Sequence, residues 1–333
     1  MKNSFLSKLS LFITLSATLF ISSCDTGGYE PPEEDSSGKL SPTEAVAPDG
    51  VLETVTWNLE WYGAPKQGPE DDFQQAKNVL QVVDSLNADL YALQEISSQQ
   101  AIDELTQFMP GYRGFVAEYV PYNQKMAFIY NTNTIDSLSA GPITEVRDTY
   151  QEEWGYYWAS GREPLYFEFQ FTTADGNEGT YYAISIHGKA NTSDYQESYQ
   201  RRQKAAEGLY HYLQDEKPDA NIILLGDYND DVDQSIYYEE QNDERVYQET
   251  PYDEFVTDTE NFSVITKKLS DNGISASVNY DNIIDHITMS NELFDNYIEG
   301  SVGVYEEAQG LISNYGETTS DHLPVWVQFD VAK

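Results

Sequence analysis

Residues 221–235 read NIILLGDYNDDVDQS, a short apolar run and a glycine followed by four aspartates and an asparagine within seven residues. A continuous apolar run of this length, bounded by Gly226, suits a strand buried on both faces, so Asp227 stands where that strand leaves the core. Asp and Asn also favour turns through local hydrogen bonds, so a solvated acidic turn is the bland reading, and Asp231 and Asp233 are assigned to its solvated part. An EF-hand is excluded. Counting from Asp227, the sixth and twelfth places hold Val232 and Tyr238 rather than glycine and glutamate.

Working outward, other apolar runs end the same way. VLETVTW (51–57) reads as a strand followed by Asn58, Glu60 and a loop with Gly63, Pro65 and Gly68. Phe73, Ala76, Leu80, Val83 and Leu86 recur at helical spacing, and DLYALQEI (89–96) is a buried strand with Glu95 at its end. A short helix fits Ser97 to Met109, closed by Pro110 and Gly111. Strands are expected at 113–119, 125–131, 163–172 and 179–186, the last ending on His187. Helices are expected over Asp194 to Leu213 and Phe255 to Leu269, and final strands over Asn282 to Met289 and Pro324 to Val331. No internal repeat is present. Strands and helices mix without strict alternation and several strands succeed one another directly, which favours an α+β sandwich of sheet on sheet with helices outside, in one domain from 51 to 333.

The N-terminus has another character. MKNSFLSKLSLFITLSATLFISSC carries Lys2 and Lys8 before an apolar core too short for a membrane span, so residues 1–23 read as a secretion signal. Ile21, Ser22 and Ser23 precede Cys24, the chain's one cysteine, and the segment resembles a bacterial lipobox, which implies cleavage before Cys24 and lipidation of its sulfur. That expectation places the protein on the bacterial envelope, lipid-anchored at the outer membrane or cell surface, and leaves no cysteine for an internal disulfide. Residues 24–50 are polar, rich in proline, glycine and serine, and read as a flexible acidic tether. The formal net charge of −39 becomes −41 once Lys2 and Lys8 are removed. Such a surface argues against a basic groove gripping many phosphates, while a divalent ion can still invert the potential locally.

The polar residues that end or follow the apolar strands form an ordered set: Asn58 in VTWNLEW, Glu95 in LYALQEI, His187 in YAISIHGKA, Asp227 and Asn229 in LLGDYND, Asp285 in IIDHITMS, and Asp321 with His322 in TSDHLPVW. In order and motif the set resembles the endonuclease/exonuclease/phosphatase superfamily, the deoxyribonuclease I-like fold, from Val51 to Lys333. One GDYN is weak; six ordered matches are specific. Tyr228 stands where the family often has phenylalanine, and the further acids of GDYNDDVDQS lie outside the family pattern. The resemblance implies a four-layer α/β sandwich, two mainly antiparallel sheets flanked by helices.

Hydrolysis of a phosphodiester needs an in-line water, a group to take its proton, and stabilisation of charge on the phosphoryl and leaving oxygens. Asn58 and Glu95, with Asp321 directly or through water, offer hard oxygen ligands suited to Mg²⁺ or Mn²⁺. Calcium also takes oxygen ligands, but nothing in the sequence indicates it. Asp227 can orient or deprotonate water and Asn229 can donate to phosphate. His322 is a second proton-handling group; by resemblance Asp285 fixes its tautomer and His187 faces the scissile phosphate or the leaving group. Arg162, in GREPLYFEF, matches a phosphate-contacting arginine of some relatives, and Lys189 follows His187 by two residues, although either also suits a surface ion pair. Glu60 is a supporting neighbour of Asn58, while His211 and His286 read as structural.

Three functions compete on these residues: a nuclease or phosphodiesterase acting on extracellular nucleic acid, a phosphomonoesterase or sphingomyelinase-like enzyme, and a binding lipoprotein that retained the fold. The 26 tyrosines suit base stacking but also glycan or protein contacts. A monomeric domain, bound to the membrane through its N-terminal lipid, is expected in each case.

Overall fold

The structure, a computed structural model, describes residues 43–331. The expected signal segment, Cys24 and the tether as far as residue 42 lie outside the described residues. The chain takes up its fold earlier than Val51. Thr43 N donates to Phe108 O and Ala45 N to Pro110 O, both at 3.0 Å, and Asn131 Nδ2 donates to Val46 O. The expectation of a free tether through Gly50 is therefore corrected for residues 43–50, whose backbone groups find partners on the domain.

Two six-stranded sheets form the centre. One contains β1 (Val51–Tyr62), β2 (Leu90–Ile96), β3 (Tyr112–Val116), β4 (Lys125–Asn131), and later β13 (Gly303–Val304) and β14 (Val325–Asp330), in the order β13-β14-β1-β2-β4-β3. The other contains β5 (Ile135–Pro142), β6 (Leu165–Thr172), β7 (Glu178–His187), β8 (Asn221–Asp227), β11 (Phe262–Val264) and β12 (Asp285–Ser290), in the order β11-β12-β8-β7-β6-β5. A separate hairpin pairs β9 (Tyr238–Gln241) with β10 (Glu244–Tyr247). Only β1 with β2 and β7 with β8 run parallel among these pairs; the remainder are antiparallel.

Side-chain alternation explains the layering. Leu52 of β1, Ala183 of β7, Ile223 and Leu225 of β8 and Ile287 of β12 share one buried cluster between the sheets with Phe128, Phe167 and Phe169. The odd-numbered partners on β1, Val55 and Trp57, face outward onto Val79 and Val83 of the helix Asp72–Leu86 and Ile102 and Leu105 of the helix Gln99–Thr106. Across the molecule, Ile184, Ile186 and Leu224 pack on Ala206, Leu209 and Leu213 of the helix Tyr195–Glu216. Helix, sheet, sheet, helix gives the four-layer sandwich of the deoxyribonuclease I-like fold. No helix among the described residues is long and apolar enough to cross a membrane.

Three local readings change. The helix expected over Phe255 to Leu269 is a short helix Asp253–Thr257, strand β11 and a second short helix Lys267–Asp271. Asp258 accepts from Asn261 Nδ2 and ends the first helix, after which Phe262 and Val264 alternate into the core as a strand. The edge strand β5 and the β9–β10 hairpin carry mostly exposed side chains, so apolar periodicity does not announce them. Nor is the acidic turn uniformly solvated. Asp230 and Arg202 Nη2 meet at 2.8 Å with both side chains buried, tying the loop after β8 to the helix Tyr195–Glu216, and Ser235 Oγ donates to the same carboxylate. Asp231, 3% exposed, accepts from Val232 N, from Ser270 Oγ and from Asn282 Nδ2. Its assignment to the solvated part is corrected; only Asp233 of the two is exposed.

Gly226 is demanded by packing. Its φ is 151°, and a Cβ there would stand 2.0 Å from the Ile186 carbonyl oxygen of β7. His286, read as structural, is buried with Nδ1 2.9 Å from Thr266 Oγ1, and burial lowers its pKa to about 3, so it sits neutral in the core.

These placements separate neighbouring aspartates. Asp230→Ala would leave the Arg202 guanidinium buried without its counter-ion, an expected loss of about 3–5 kcal/mol. Asp233→Asn should change stability by less than about 0.5 kcal/mol. Urea unfolding of the two variants measures both, and equal midpoints would contradict the assignment.

Candidate active site

Strand direction gathers the polar ends at one edge. β7 and β8 run parallel and finish together, with His187 paired to Asp227, while antiparallel β12 begins there with Asp285 opposite Asp227. His187, Asp227 and Asp285 therefore occupy one rung and project from one face. Alternation from Ala183, Ile223, Leu225 and Ile287 makes it the face between the sheets. On the other sheet Asn58 follows Leu52, Thr54 and Thr56 onto the inward face, and β14 runs antiparallel to β1, so Asp321 and His322 arrive at the same edge just before β14. Below this site the sheets share polar contacts: Gln94 Nε2 donates to Thr56 Oγ1 and to Ser185 Oγ, each at 3.2 Å.

Glu95 should point away by alternation, since Tyr91 and Leu93 of β2 face the outer helices. It does not. Glu95 adopts φ 61°, and pairing between β2 and β4 shifts register between Leu93 and Ile96, a bulge that re-aims the side chain. Its Oε1 accepts from Gln124 Nε2 at 2.7 Å and lies 3.9 Å from His187 Nε2; its Oε2 accepts from Trp61 N at 3.1 Å. Glu60 (φ 44°) and Asn229 (φ 53°) share this left-handed backbone, uncommon for residues with a Cβ.

Asp227 links the two sheets at the site. Oδ2 accepts from Asn58 Nδ2 at 2.9 Å and lies 3.4 Å from His187 Nε2, while Oδ1 accepts from Asn229 N at 2.8 Å. Burial lifts its pKa to about 6, against the lowering effect of His322. Burial acts the other way on His187, holding its imidazole neutral, and its buried Nδ1 has no hydrogen-bond partner. At His322, burial alone would disfavour the cation. Asp285 outweighs it and holds the pKa well above the usual histidine range, with Nδ1 and Asp285 Oδ2 at 2.7 Å. The bond commits Nδ1, leaving Nε2 toward the cleft, 3.8 Å from Asp321 Oδ1. Trp57 Nε1 and Tyr315 Oη both donate to the His322 carbonyl and fix its backbone.

The oxygen cluster fits a hard divalent cation. Glu60 Oε2 accepts from Asp321 N at 3.1 Å, and burial with the Asp321 carboxylate raises the Glu60 pKa to about 7. Glu95 is raised as well, chiefly by burial. Carboxylates whose charge is this poorly compensated, with no soft donor among them, match Mg²⁺ or Mn²⁺ chemistry. Among the described residues no three His, Cys, Asp or Glu converge as a ready-made cage. The residues that could hold such an ion are Glu95, with Asn58 or Asp321 beside it, water and substrate oxygens completing its shell. Asn58 Oδ1 also accepts from Glu60 N at 3.0 Å, so this amide links the carboxylate cluster to Asp227.

The two expected phosphate-contacting cations are placed differently. Arg162 is buried, not a surface ion-pair partner, and donates to His187 O at 2.9 Å and Gly188 O at 2.6 Å, bracing the end of β7 directly behind the imidazole. Lys189 is half-buried and donates to Ala190 O. His211 lies on the exposed face of its helix, stacked on Tyr150. Gln124 and Ser320, which donates to Asn58 O at 2.6 Å, were not among the sequence candidates. Neither ends an apolar strand, and their types are common in loops.

Among curated protein sequences none matches this chain. Solved structures do. The catalytic domain of Xenopus laevis APE2 superposes with a TM-score of 0.58 at 15% identity, over 84% of this chain and 92% of that one. D. rerio TDP2, complexed with a single-strand DNA product, gives 0.56 at 15% identity over 84% and 99%. An endonuclease/exonuclease/phosphatase family protein from Bacteroides thetaiotaomicron gives 0.53 at 17% identity over 84% and 94%. At these identities the likeness is one of fold. The family described as Endonuclease/Exonuclease/phosphatase matches residues 55–322, from within β1 to His322, and thereby takes in the whole rung and its partners. The chain belongs to the endonuclease/exonuclease/phosphatase family.

Proposed function

We propose that this protein is a Mg²⁺- or Mn²⁺-dependent phosphodiester hydrolase that acts on extracellular nucleic acid from a lipid anchor on the bacterial envelope. The observation that carries the hydrolase reading is the convergence of residues far apart in the chain. Asp227 is bonded to Asn58 and flanked by His187 and by the Asp285–His322 pair at the open end of the inter-sheet core. A solvated turn would not bury and orient such a set.

In this reading Asp227 receives the proton of the attacking water, its carboxylate steadied by Asn58 Nδ2 and Asn229 N. The bond from water oxygen to phosphorus forms as the bond to the leaving oxygen breaks, and the leaving oxygen takes a proton from solvent. His322 presents Nε2 to a phosphoryl oxygen, held in that orientation by Asp285. His187, neutral and buried, offers Nε2 as a hydrogen-bonding group on the opposite side of Asp227. Glu95, with Asn58 or Asp321, would hold a divalent cation whose positive charge would stabilise the charge that develops during phosphoryl transfer. The end of β7 adds local cationic character: Arg162, Arg201 and Arg202 lie close enough to Lys189 to lower its pKa further after burial.

Glu95→Gln should weaken Mg²⁺ binding and hydrolysis together while the fold persists, measured by metal titration and circular dichroism. Undiminished hydrolysis by the wild type in excess EDTA would exclude the metal role.

Asp227→Asn and His322→Ala should each lower kcat/KM for a single-stranded oligonucleotide by at least ~100-fold, on the order of 3 kcal/mol. The double variant should lose far less than the product of the two, because both groups serve one phosphate. Full multiplicativity would mean independent roles.

For the anchor, labelled palmitate should enter the wild type, and Cys24→Ser should remain as precursor or leave the membrane fraction. Equal membrane retention without label would remove the anchor from the proposal.

A further inference from the structure

Beside Asn229 the active-site edge opens into a cleft of about 430 Å³, bounded by Ala190, Asn191, Tyr195, Asn229, Ile236, Tyr280, Asn282 and Ile284. Tyr280 and Tyr195, 68% and 57% exposed, are the two most exposed large hydrophobic side chains among the described residues, and both stand on this one cleft. No Lys, Arg, Asp or Glu borders it. Resting on the phosphodiesterase reading, we propose that this cleft is a nucleobase subsite: a flat heteroaromatic ring joined to the scissile phosphate stacks on Tyr195 and Tyr280.

The polar groups fit such a ring. Three amides lining the cleft are held in place: Asn191 Oδ1 accepts from Arg202 Nη1, Asn229 Nδ2 donates to Gly188 O and Asn282 Nδ2 donates to Asp231 Oδ2. Each amide has hydrogen-bonding capacity beyond the bond that holds it, and three of them beside apolar Ile236 and Ile284 suit the amide-like edge and flat face of a base. The absence of cations along the rim together with the net charge of −39 disfavours an anionic lipid surface. The wall carrying Tyr280 is braced. Ser275 Oγ donates to Tyr280 O at 2.5 Å, and Asn282 is fixed on the buried Asp231.

The test uses the full-length chain and a fluorescent thymidine decamer with methylphosphonate links, which is uncharged and resists phosphodiester hydrolysis, beside the same decamer with every base replaced by hydrogen. Anisotropy should show wild-type binding of the base-bearing decamer at least roughly ten-fold tighter than the abasic one. Tyr195→Ala and Tyr280→Ala should each remove roughly ten-fold, the loss of one stack, and Tyr→Phe or Tyr→Trp at either position should restore it. Equal binding of the two decamers, unchanged Ala variants, or Phe variants as weak as Ala would overturn the subsite. So would tyrosine-dependent co-sedimentation with sphingomyelin vesicles without base preference. Hydrolysis of an ordinary decamer with Mg²⁺ is followed in parallel. Base-dependent binding without hydrolysis would retain the subsite and remove the hydrolase reading, and hydrolysis without base-dependent binding would do the reverse.

Discussion

Burying carboxylates is the constraint around which the cleft is arranged. Asp227 and Asp285 are 2% and 0% exposed at the end of an otherwise apolar core, and an ionised carboxylate removed from water costs several kcal/mol unless it is paired and hydrogen-bonded. Each has its own answer. Asp285 is paired with an imidazolium across 2.7 Å, and Asp227 receives two N–H bonds with His322 near enough to oppose the effect of burial. These partners come from β1, from the loop after β8 and from the segment before β14, so the site exists only when both sheets are packed. The fold and the chemistry share one set of contacts.

The same constraint explains which parts of this arrangement the sequence reveals. A buried strand is an apolar run, and a polar residue ending such a run stands at the edge of the core; His187 and Asp227 follow this rule, Asn58 follows the apolar run of β1 although that strand continues to Tyr62, and Asp285 opens β12 rather than ending it. Their order along the chain then carries the family resemblance. Glu95 is legible as a strand end but not in its direction, because alternation aims it at the outer helices and only the left-handed φ of a bulge turns it inward. A glutamate at that φ leaves no mark in a periodicity reading. Gln124 is less legible still, since its role depends on where the turn before β4 brings it against Glu95.

The acidic run shows how little composition says about individual side chains. Four aspartates within seven residues have four environments: Asp227 in the site, Asp230 on Arg202, Asp231 on Ser270 and Asn282, and Asp233 in solvent. Turn propensity accounts for why the chain reverses here and gives no hint of the partners, which lie 28 and 39 residues away for Asp230 and Asp231. Segment 43–50 teaches a related lesson. Its composition reads as linker, yet its backbone N–H and C=O groups meet partners beside Phe108 and Asn131, and docking of this kind depends on complementary groups elsewhere rather than on periodicity within the segment.

A net charge of −39 and an anionic substrate are compatible only if attraction is local. Arg162, Arg201 and Arg202 are largely occupied by backbone carbonyls, Ser160, Glu197 and Asp230, so they brace the end of β7. With so few free cations, long-range steering cannot supply the affinity, and phosphate contacts along an extended strand have no counterpart in a basic groove. Binding must then draw on contacts that do not depend on backbone charge. Exposed tyrosines beside a neutral, amide-lined cleft meet that requirement, because stacking on a ring is insensitive to the sign of the surrounding field. On the proposed reading, a strongly acidic surface and a phosphodiester substrate thus cease to conflict once recognition is divided between a cation-compensated phosphate and an uncharged base.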